Sequence, residues 1–461
     1  MVDLTLLDVA RVVNATAVQC LKEAKRIDGV SIDSRQIDPN NLFVPTIGER
    51  VNGHNYVVSS IQKGAIASLW QNDQPNAPVE VPLIFVDNTV EALQKLAKAY
   101  RDTLTTTFIG ITGSTGKTST KDIVSSICSI GYITQKTQGN RNNEIGLPLT
   151  ILQLERTTQV AVMEMGISHP NDMSLLSQIV QPHVAIMTSI CEAHVDTMGT
   201  VENIVAEKFR ITECLKPDGM LLYNGDNSYL SEFMSKTRIP QKTFSYGFGN
   251  NSNVKILDYK ISTRGLTFVT NLYNQREFFL PLLGKHQVLN AAAALLVASS
   301  LSLEANEVQE GLNRIELTSN RSEIKRVQQA VVIDDTYNAN PDSMLAALEM
   351  LSNYPVVLPK IAILGDMYGL GHLVEGLHSK IGIKHDYRGI SELWVVGNYA
   401  QLIANEVEIR KLPVVVKRFR NKEELYFQMN MQVKQACLIL IKASRAVALD
   451  TVVSELIGEA V

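Results

Sequence analysis

The segment Ile109-Gly-Ile-Thr-Gly-Ser-Thr-Gly-Lys-Thr-Ser-Thr120 carries the densest chemistry in the sequence. Its order is that of an apolar strand end, a glycine-rich turn, and a helix opening on Lys117 and Thr118. In such a turn successive N–H groups point at phosphate oxygens, the lysine faces the β- and γ-phosphates, and the threonine hydroxyl suits magnesium. An ordinary tight turn between strand and helix reads the same way. The β-branched run before the turn and the helical pattern over 121–129 favour a nucleotide triphosphate. Glycines at 110, 113 and 116 are expected to curl the loop. Five residues separate Gly110 from Gly116, one more than the common phosphate-loop pattern has, so a generic kinase or GTPase reading is not licensed.

Other reactive groups stand at strand ends. Asn140-Arg-Asn-Asn-Glu-Ile-Gly146 concentrates amides beside one carboxylate, which suits a polar or anionic ligand as well as a hydrophilic loop. Glu164 closes a strand beside the phosphate loop, where a Mg²⁺ ligand belongs, although a capping acid would look alike. His194 follows another strand on the same rim and is a candidate metal ligand. Lys208, inside a helical run, reads as a solvated lysine. Arg321 could clamp a γ-phosphate and Asp335 could accept from ribose hydroxyls, while Asn340-Pro341 is also a fair helix start.

The elements that must position these groups alternate strand and helix, so an α/β fold with mostly parallel sheets is expected. Three units are expected: residues 1–102, 103–315 and 316–461. Strands are predicted over 107–112, 159–164, 183–188 and 219–224 in the second unit. In the third they are predicted over 330–334, 360–364, 392–396, 414–418 and 436–441. Residues 254–282 alternate as an antiparallel appendage would. The 461 residues are 45% hydrophobic and 20% charged with net charge −4. These values exclude nucleic-acid binding as a main role, and no apolar run is long enough for a membrane span. Five scattered cysteines give no metal or disulfide spacing. The start of the chain lacks a signal-peptide pattern, so a cytoplasmic location is expected.

Taken together, several segments resemble the Mur ligase family. They are Thr112-Gly-Ser-Thr-Gly-Lys-Thr118, Gln138-Gly-Asn-Arg-Asn-Asn-Glu-Ile-Gly-Leu-Pro148, Glu164-Met-Gly166, Asp335-Thr-Tyr-Asn-Ala-Asn-Pro-Asp-Ser-Met344 and Leu364-Gly-Asp-Met367. Near the start, Ile32-Asp-Ser-Arg35, Leu42-Phe-Val44 and Gly48 to His54 are similar to the family's uridine-nucleotide-binding domain. The Tyr337–Pro341 and Gly139–Gly146 segments point to the branch that adds D-alanyl-D-alanine to UDP-N-acetylmuramoyl-tripeptide. The resemblance implies three domains: UDP-binding, ATPase, and Rossmann-like. It implies ATP-driven amide formation through an acyl phosphate, in peptidoglycan synthesis, by a monomer.

By carry-over, Gly113, Ser114, Thr115, Gly116, Lys117, Thr118, Ser119, Asn290, Arg321 and Asp335 bind ATP. Thr118 and Glu164 hold one Mg²⁺, and His194 with a carbamylated Lys208 (N6-carboxylysine) holds a second. Ser34, Arg35, Asn142 and Asn143 bind the UDP substrate. Tyr337, Asn338, Asn340, Ser444 and Arg445 serve the dipeptide side. Lys117, Lys208, His194 and Glu164 form the catalytic set. Five positions depart from the family pattern: Thr115, Cys191, Gln287, Gly369 and Ala443. Two alternatives are a related amino-acid ligase of the MurE or folylpolyglutamate-synthase kind and a non-catalytic nucleotide-binding regulator. Residues 337–340 argue against the first, and the joint presence of Lys117, Glu164, His194 and Lys208 argues against the second.

Overall fold

The computed structural model describes residues 4–21 and 24–458. Three main sheets follow one another along the chain, with a short antiparallel pair, Leu4–Thr5 and Arg26–Ile27, beside the first. The first sheet has five strands between residues 17 and 86, the second nine between 107 and 280, and the third six between 323 and 442. Five strands of the second sheet run in the order Met220–Asn224, Val184–Met187, Thr107–Thr112, Val160–Glu164, Thr134–Lys136, all parallel. The first four are nearly continuous apolar runs, as strands covered by helices on both faces must be, whereas the edge strand Thr134–Lys136 is polar and half-buried. Parallel pairing brings their carboxyl ends, and hence Thr112, Glu164 and Thr188, to one rim.

The alternating stretch expected as an appendage is instead part of this sheet. Val254–Ser262 pairs in parallel with Lys242–Gly247 through Tyr246↔Val254 and Gly247↔Lys255, and two antiparallel strands then extend the edge. The third sheet holds the five predicted strands within one or two residues. It also holds an antiparallel edge strand, Glu323–Val327, whose largely exposed and polar residues gave no apolar signal.

The helix Thr89–Arg101 ties the first unit to the second. Its buried stripe includes Leu93, Leu96, Ala97 and Tyr100. The Tyr100 hydroxyl donates to Leu154 O at 2.7 Å, and Arg101 donates to Gln178 O at 2.7 Å and Ile179 O at 2.6 Å. One apolar cluster accordingly runs from Leu6 through this helix to Met234. No helix among the described residues is long and apolar enough to cross a membrane. All five cysteines are free.

Candidate active site between the central and C-terminal sheets

The phosphate-type loop turns on two glycines. Gly113 has φ 151° and Gly116 has φ 82°. A Cβ at Gly113 would lie 2.0 Å from Thr188 Oγ1, and one at Gly116 2.9 Å from Asn290 Oδ1. Gly110, expected to curl the loop, does not. It lies inside the strand Thr107–Thr112, where a Cβ would meet Met165 Sδ at 2.8 Å. The loop proper therefore begins at Gly113, and with two residues between Gly113 and Gly116 it still departs from the common phosphate-loop spacing.

The neighbouring strand end braces this loop. Ser114 N donates to Ser189 O at 2.6 Å, Thr188 Oγ1 donates to Thr115 O at 2.5 Å, and the Thr115 and Ser189 hydroxyls bond each other. Lys117 opens the helix Lys117–Gly131, and its Nζ donates to Gly113 O at 2.7 Å. Burial lowers the Lys117 pKa. Thr118 is buried on the first turn, where helical N–H groups lack intrahelical acceptors.

Glu164 is 2% exposed at the end of its strand. Its Oε1 accepts from Asn142 Nδ2 at 2.8 Å, whereas Oε2 is buried and has no hydrogen-bond partner. The nearest cation to Oε2 is Lys121 Nζ at 3.9 Å. An unsatisfied buried carboxylate oxygen is costly, so its presence beside Thr118 fits a cation.

His194 occupies the left-handed region at φ 65°. Burial first, then the Lys208 and Lys117 charges, lower its pKa to about 4, so its imidazole is neutral at pH 7 and keeps a lone pair. Lys208, 1% exposed on the helix Val201–Phe209, makes no side-chain hydrogen bond or ion pair among the described residues. Burial pushes its pKa well below the usual lysine value. It is no solvated helix lysine. The sequence gave no sign of this, since helix Val201–Phe209 buries a polar face at Glu207 and Lys208. Among the described residues no three His, Cys, Asp or Glu side chains form a ready metal cage. The donors here are mixed: a hydroxyl, a carboxylate, an imidazole and a buried lysine amine.

The third sheet supplies the opposite wall. The Arg321 guanidinium lies 4.1 Å from the Tyr337 ring centroid, and its buried Nε has no partner. Asp335 Oδ1 accepts from Ser322 N at 3.2 Å, and Oδ2 accepts from Lys442 Nζ at 2.6 Å. Between the walls is a cavity of about 530 Å³. Of the predicted residues, Ser114 to Ser119, Asn142, Asn143, Glu164, His194, Asn290, Arg321, Asp335, Tyr337, Asn338 and Asn340 line it.

The remaining predicted residues do not line it. Gly113 and Lys208 are absent from its lining, although the Lys208 charge acts on His194. Ser444, buried, accepts from Tyr368 N at 2.9 Å, and Arg445 lies 5.5 Å from the Tyr337 ring. Ser34 and Arg35 sit in the first unit, where Arg35 is mostly exposed and pairs with Asp33 at 2.8 Å. Conversely, Thr188, Ser189, His286 and Lys442 line the cavity without having been assigned roles. The signal for Lys442 was its place at a strand end. Thr188 and Ser189 are common residue types and carried none.

Family profiles match along the chain. The profile described as Mur ligase family, catalytic domain, matches residues 26–101, the Mur ligase middle domain 111–298, and the Mur ligase glutamate ligase domain 320–445. The UDP-N-acetylmuramoyl-tripeptide–D-alanyl-D-alanine ligase of Bacillus subtilis is 35% identical over 458 residues, covering 99% of each chain. The chain belongs to the Mur ligase family.

Solved Mur ligases share the whole architecture. MurF from Acinetobacter baumannii is similar with a TM-score of 0.89 at 27% identity, over 99% of both chains. The MurF ligase of Thermotoga maritima in complex with ADP has a TM-score of 0.81 at 25% identity, over 94% of this chain and 97% of that one. Folylpolyglutamate synthase from Mycobacterium tuberculosis shares the fold at 18% identity and a TM-score of 0.63, over 79% of this chain and 94% of that one. In this Mur ligase, Gln287 is buried and accepts from Asn290 Nδ2 at 3.0 Å, so the longer amide leaves Asn290 against Gly116.

Proposed function

We propose that this Mur ligase joins D-alanyl-D-alanine to UDP-N-acetylmuramoyl-tripeptide with hydrolysis of ATP, completing the peptide of a peptidoglycan precursor in the cytoplasm. The observation that carries the reading is the single cavity in which the Gly113–Ser119 loop and the open Glu164 oxygen face Arg321 and Asp335. The near full-length similarity to ligases of that name supports the choice of substrates. One chain completes the cavity, which suits a monomer.

The reaction has two steps. The terminal carboxylate of the tripeptide attacks the γ-phosphorus of ATP, ADP leaves, and an acyl phosphate forms. The amine of the dipeptide attacks the acyl carbon, loses a proton, and expels phosphate as the amide forms. A free carboxylate is inert to amines, so the first step creates the leaving group. Lys117 exchanges its bond to Gly113 O for a phosphate oxygen, and N–H groups of residues 115–118 cradle the phosphates. Arg321, with an idle Nε, faces the transferred phosphoryl group, and Asp335 faces ribose. Ser34, Arg35, Asn142 and Asn143 are assigned to the UDP substrate, and Tyr337, Asn338, Asn340, Ser444 and Arg445 to the dipeptide side.

Thr118 and Glu164 would hold one Mg²⁺. His194 and Lys208 would hold a second, with Lys208 as a carbamate formed by its neutral amine and carbon dioxide with loss of a proton. Bound cations would offset the charge of ATP and carboxylate. Water exclusion by the facing third sheet protects the acyl phosphate.

The test is phosphate release from ATP with both substrates, omitting each in turn. Release is expected only when UDP-tripeptide and D-alanyl-D-alanine are present together. Release driven by a free amino acid in place of the dipeptide would overturn the substrate assignment, and no substrate-dependent release would overturn the enzyme reading.

A further inference from the structure

We propose that Asp122 is a positioning residue for the transfer step: it pins the interdomain connection at Thr318, so that the third sheet pivots about the link between Thr318 and Asn320 and carries Arg321 into the cleft. This rests on the reading of the cleft as the ATP site.

Asp122 lies on the second turn of the helix that starts at Lys117, one turn beyond Thr118. It is wholly buried. A buried carboxylate is retained only where donors satisfy it, and its donors come from three parts of the chain. Oδ1 accepts from Lys136 Nζ at 2.7 Å and lies 3.5 Å from Lys121 Nζ. Oδ2 accepts from the Thr318 backbone N–H at 2.8 Å and its hydroxyl at 3.0 Å. Thr318 lies midway along the connection between the helix Ala305–Asn313 and the strand Glu323–Val327. The phosphate-loop helix therefore grips the crossing between domains at a fixed point.

Three residues beyond that grip stands Arg321, and the backbone turns sharply on both sides of it. Asn320 has φ 63° and Ser322 has φ 52°, both in the left-handed region. For non-glycine residues this region is sparsely populated, and such positions mark places where the chain switches direction. Asn320 and Ser322 both belong to the third unit, since Asn320 O accepts from Tyr337 N at 3.1 Å and Ser322 N donates to Asp335 Oδ1 at 3.2 Å, so rotation is accommodated between Thr318 and Asn320. Arg321 is nearest the pivot, so a modest rotation changes its reach by a short, defined amount.

Lys121 links the pivot to the chemistry. Its buried ammonium lies between Asp122 and the open Oε2 of Glu164, 3.5 and 3.9 Å away. One cation thus touches both the carboxylate that faces the phosphates and the carboxylate that holds the connection.

The experiment compares Asp122→Asn, Thr318→Val, their double variant and Thr318→Pro with the wild type. ADP affinity, kcat and KM for ATP are measured, and circular dichroism checks folding. Asp122→Asn is expected to lose about 10- to 100-fold in kcat, the scale of a misplaced group. Thr318→Val keeps the backbone N–H bond to Asp122 and loses only the hydroxyl bond, so its loss should be smaller, about three- to tenfold. ADP affinity and KM are expected to stay within about threefold. The double variant should be no worse than Asp122→Asn, because both act on one link. Thr318→Pro, which removes both bonds and leaves Asp122 in place, decides the matter if Asp122→Asn fails to fold. Wild-type kcat in a folded Asp122→Asn or Thr318→Pro protein overturns the proposal. A rise in KM matching the fall in kcat/KM also overturns it, since Asp122 would then act on nucleotide binding. A wild-type protein that binds ADP but releases no phosphate with both substrates would instead sink the ligase reading.

Discussion

Asn142 holds Glu164 by one oxygen and leaves the other open: the amide donates to Oε1 at 2.8 Å while Oε2 stays buried without a hydrogen-bond partner. An oriented carboxylate with one free oxygen is what a cation needs from a supporting residue. Asn142→Ala should therefore weaken activation by Mg²⁺ or Mn²⁺ by about 10- to 100-fold. Because Asn142 is also assigned to the UDP substrate, activation is measured at saturating UDP-tripeptide, which separates the two roles. Equal activation curves for variant and wild type would show that the amide does not orient the carboxylate.

The two glycines that bracket Ile111 and Thr112 should fail in different ways. Gly113→Ala places a methyl 2.0 Å from Thr188 Oγ1 at φ 151°, so the loop must deform and ADP binding should be lost. Gly110→Ala overpacks Met165 inside the sheet, which should lower stability by about 1–3 kcal/mol. The stabilised loop should still bind ADP in that variant at low temperature. Calorimetric unfolding and ADP titration on both proteins separate the two effects.

The reach of the sequence is clear from these residues. Apolar runs revealed the parallel strands because burial on both faces leaves few polar residues in them. The rim then followed, since parallel strands end on one side. Gly110 was misassigned because one-letter spacing cannot distinguish a turn glycine from one that admits a neighbouring side chain. The edge strand Glu323–Val327 was silent because exposed edges need no apolar face. Asp122 and Lys121 read as ordinary helix charges, and only tertiary packing buries them against Lys136, Glu164 and Thr318. Resemblance alone singles out Lys208 in the sequence, and only tertiary packing buries it.

Lys208→Ala should lose about 100-fold or more in phosphate release. A short carboxylic acid such as acetate should restore part of it by replacing the carbamate. Removing dissolved carbon dioxide from the wild type should mimic the substitution reversibly. Full activity in Lys208→Ala would show that no carbamate acts there.

His286 offers a pH test away from those groups. Its pKa is lowered to about 4 by burial, with Asp335 opposing and Lys442 assisting, against an ordinary value of 6.5. The unfolded chain therefore binds a proton between pH 6.5 and 4 that the folded protein refuses. The contribution of His286 to stability is fully present above pH 6.5 and falls as pH drops toward 4. His286→Gln should flatten that slope in melting temperatures taken across the window. An unchanged slope would mean that the imidazole titrates normally in the fold.

Lys442 separates stability from chemistry on the C-terminal wall. It is 3% exposed and joins Asp335 Oδ2 at 2.6 Å to Asn338 O at 3.0 Å, so one ammonium fixes both ends of the turn that lines the cavity. Lys442→Met leaves the Asp335 carboxylate largely buried and unpaired, a change expected to destabilise by about 3 kcal/mol. Adding Asp335→Asn removes the stranded charge and should recover most of that loss. Activity should not recover with it, because Asn cannot replace the carboxylate at ribose and the turn still lacks its tie to Asn338. Denaturant unfolding and steady-state kinetics on the two singles and the double complete the cycle. If activity returns together with stability, the pair is only a structural brace and Asp335 has no role toward the nucleotide.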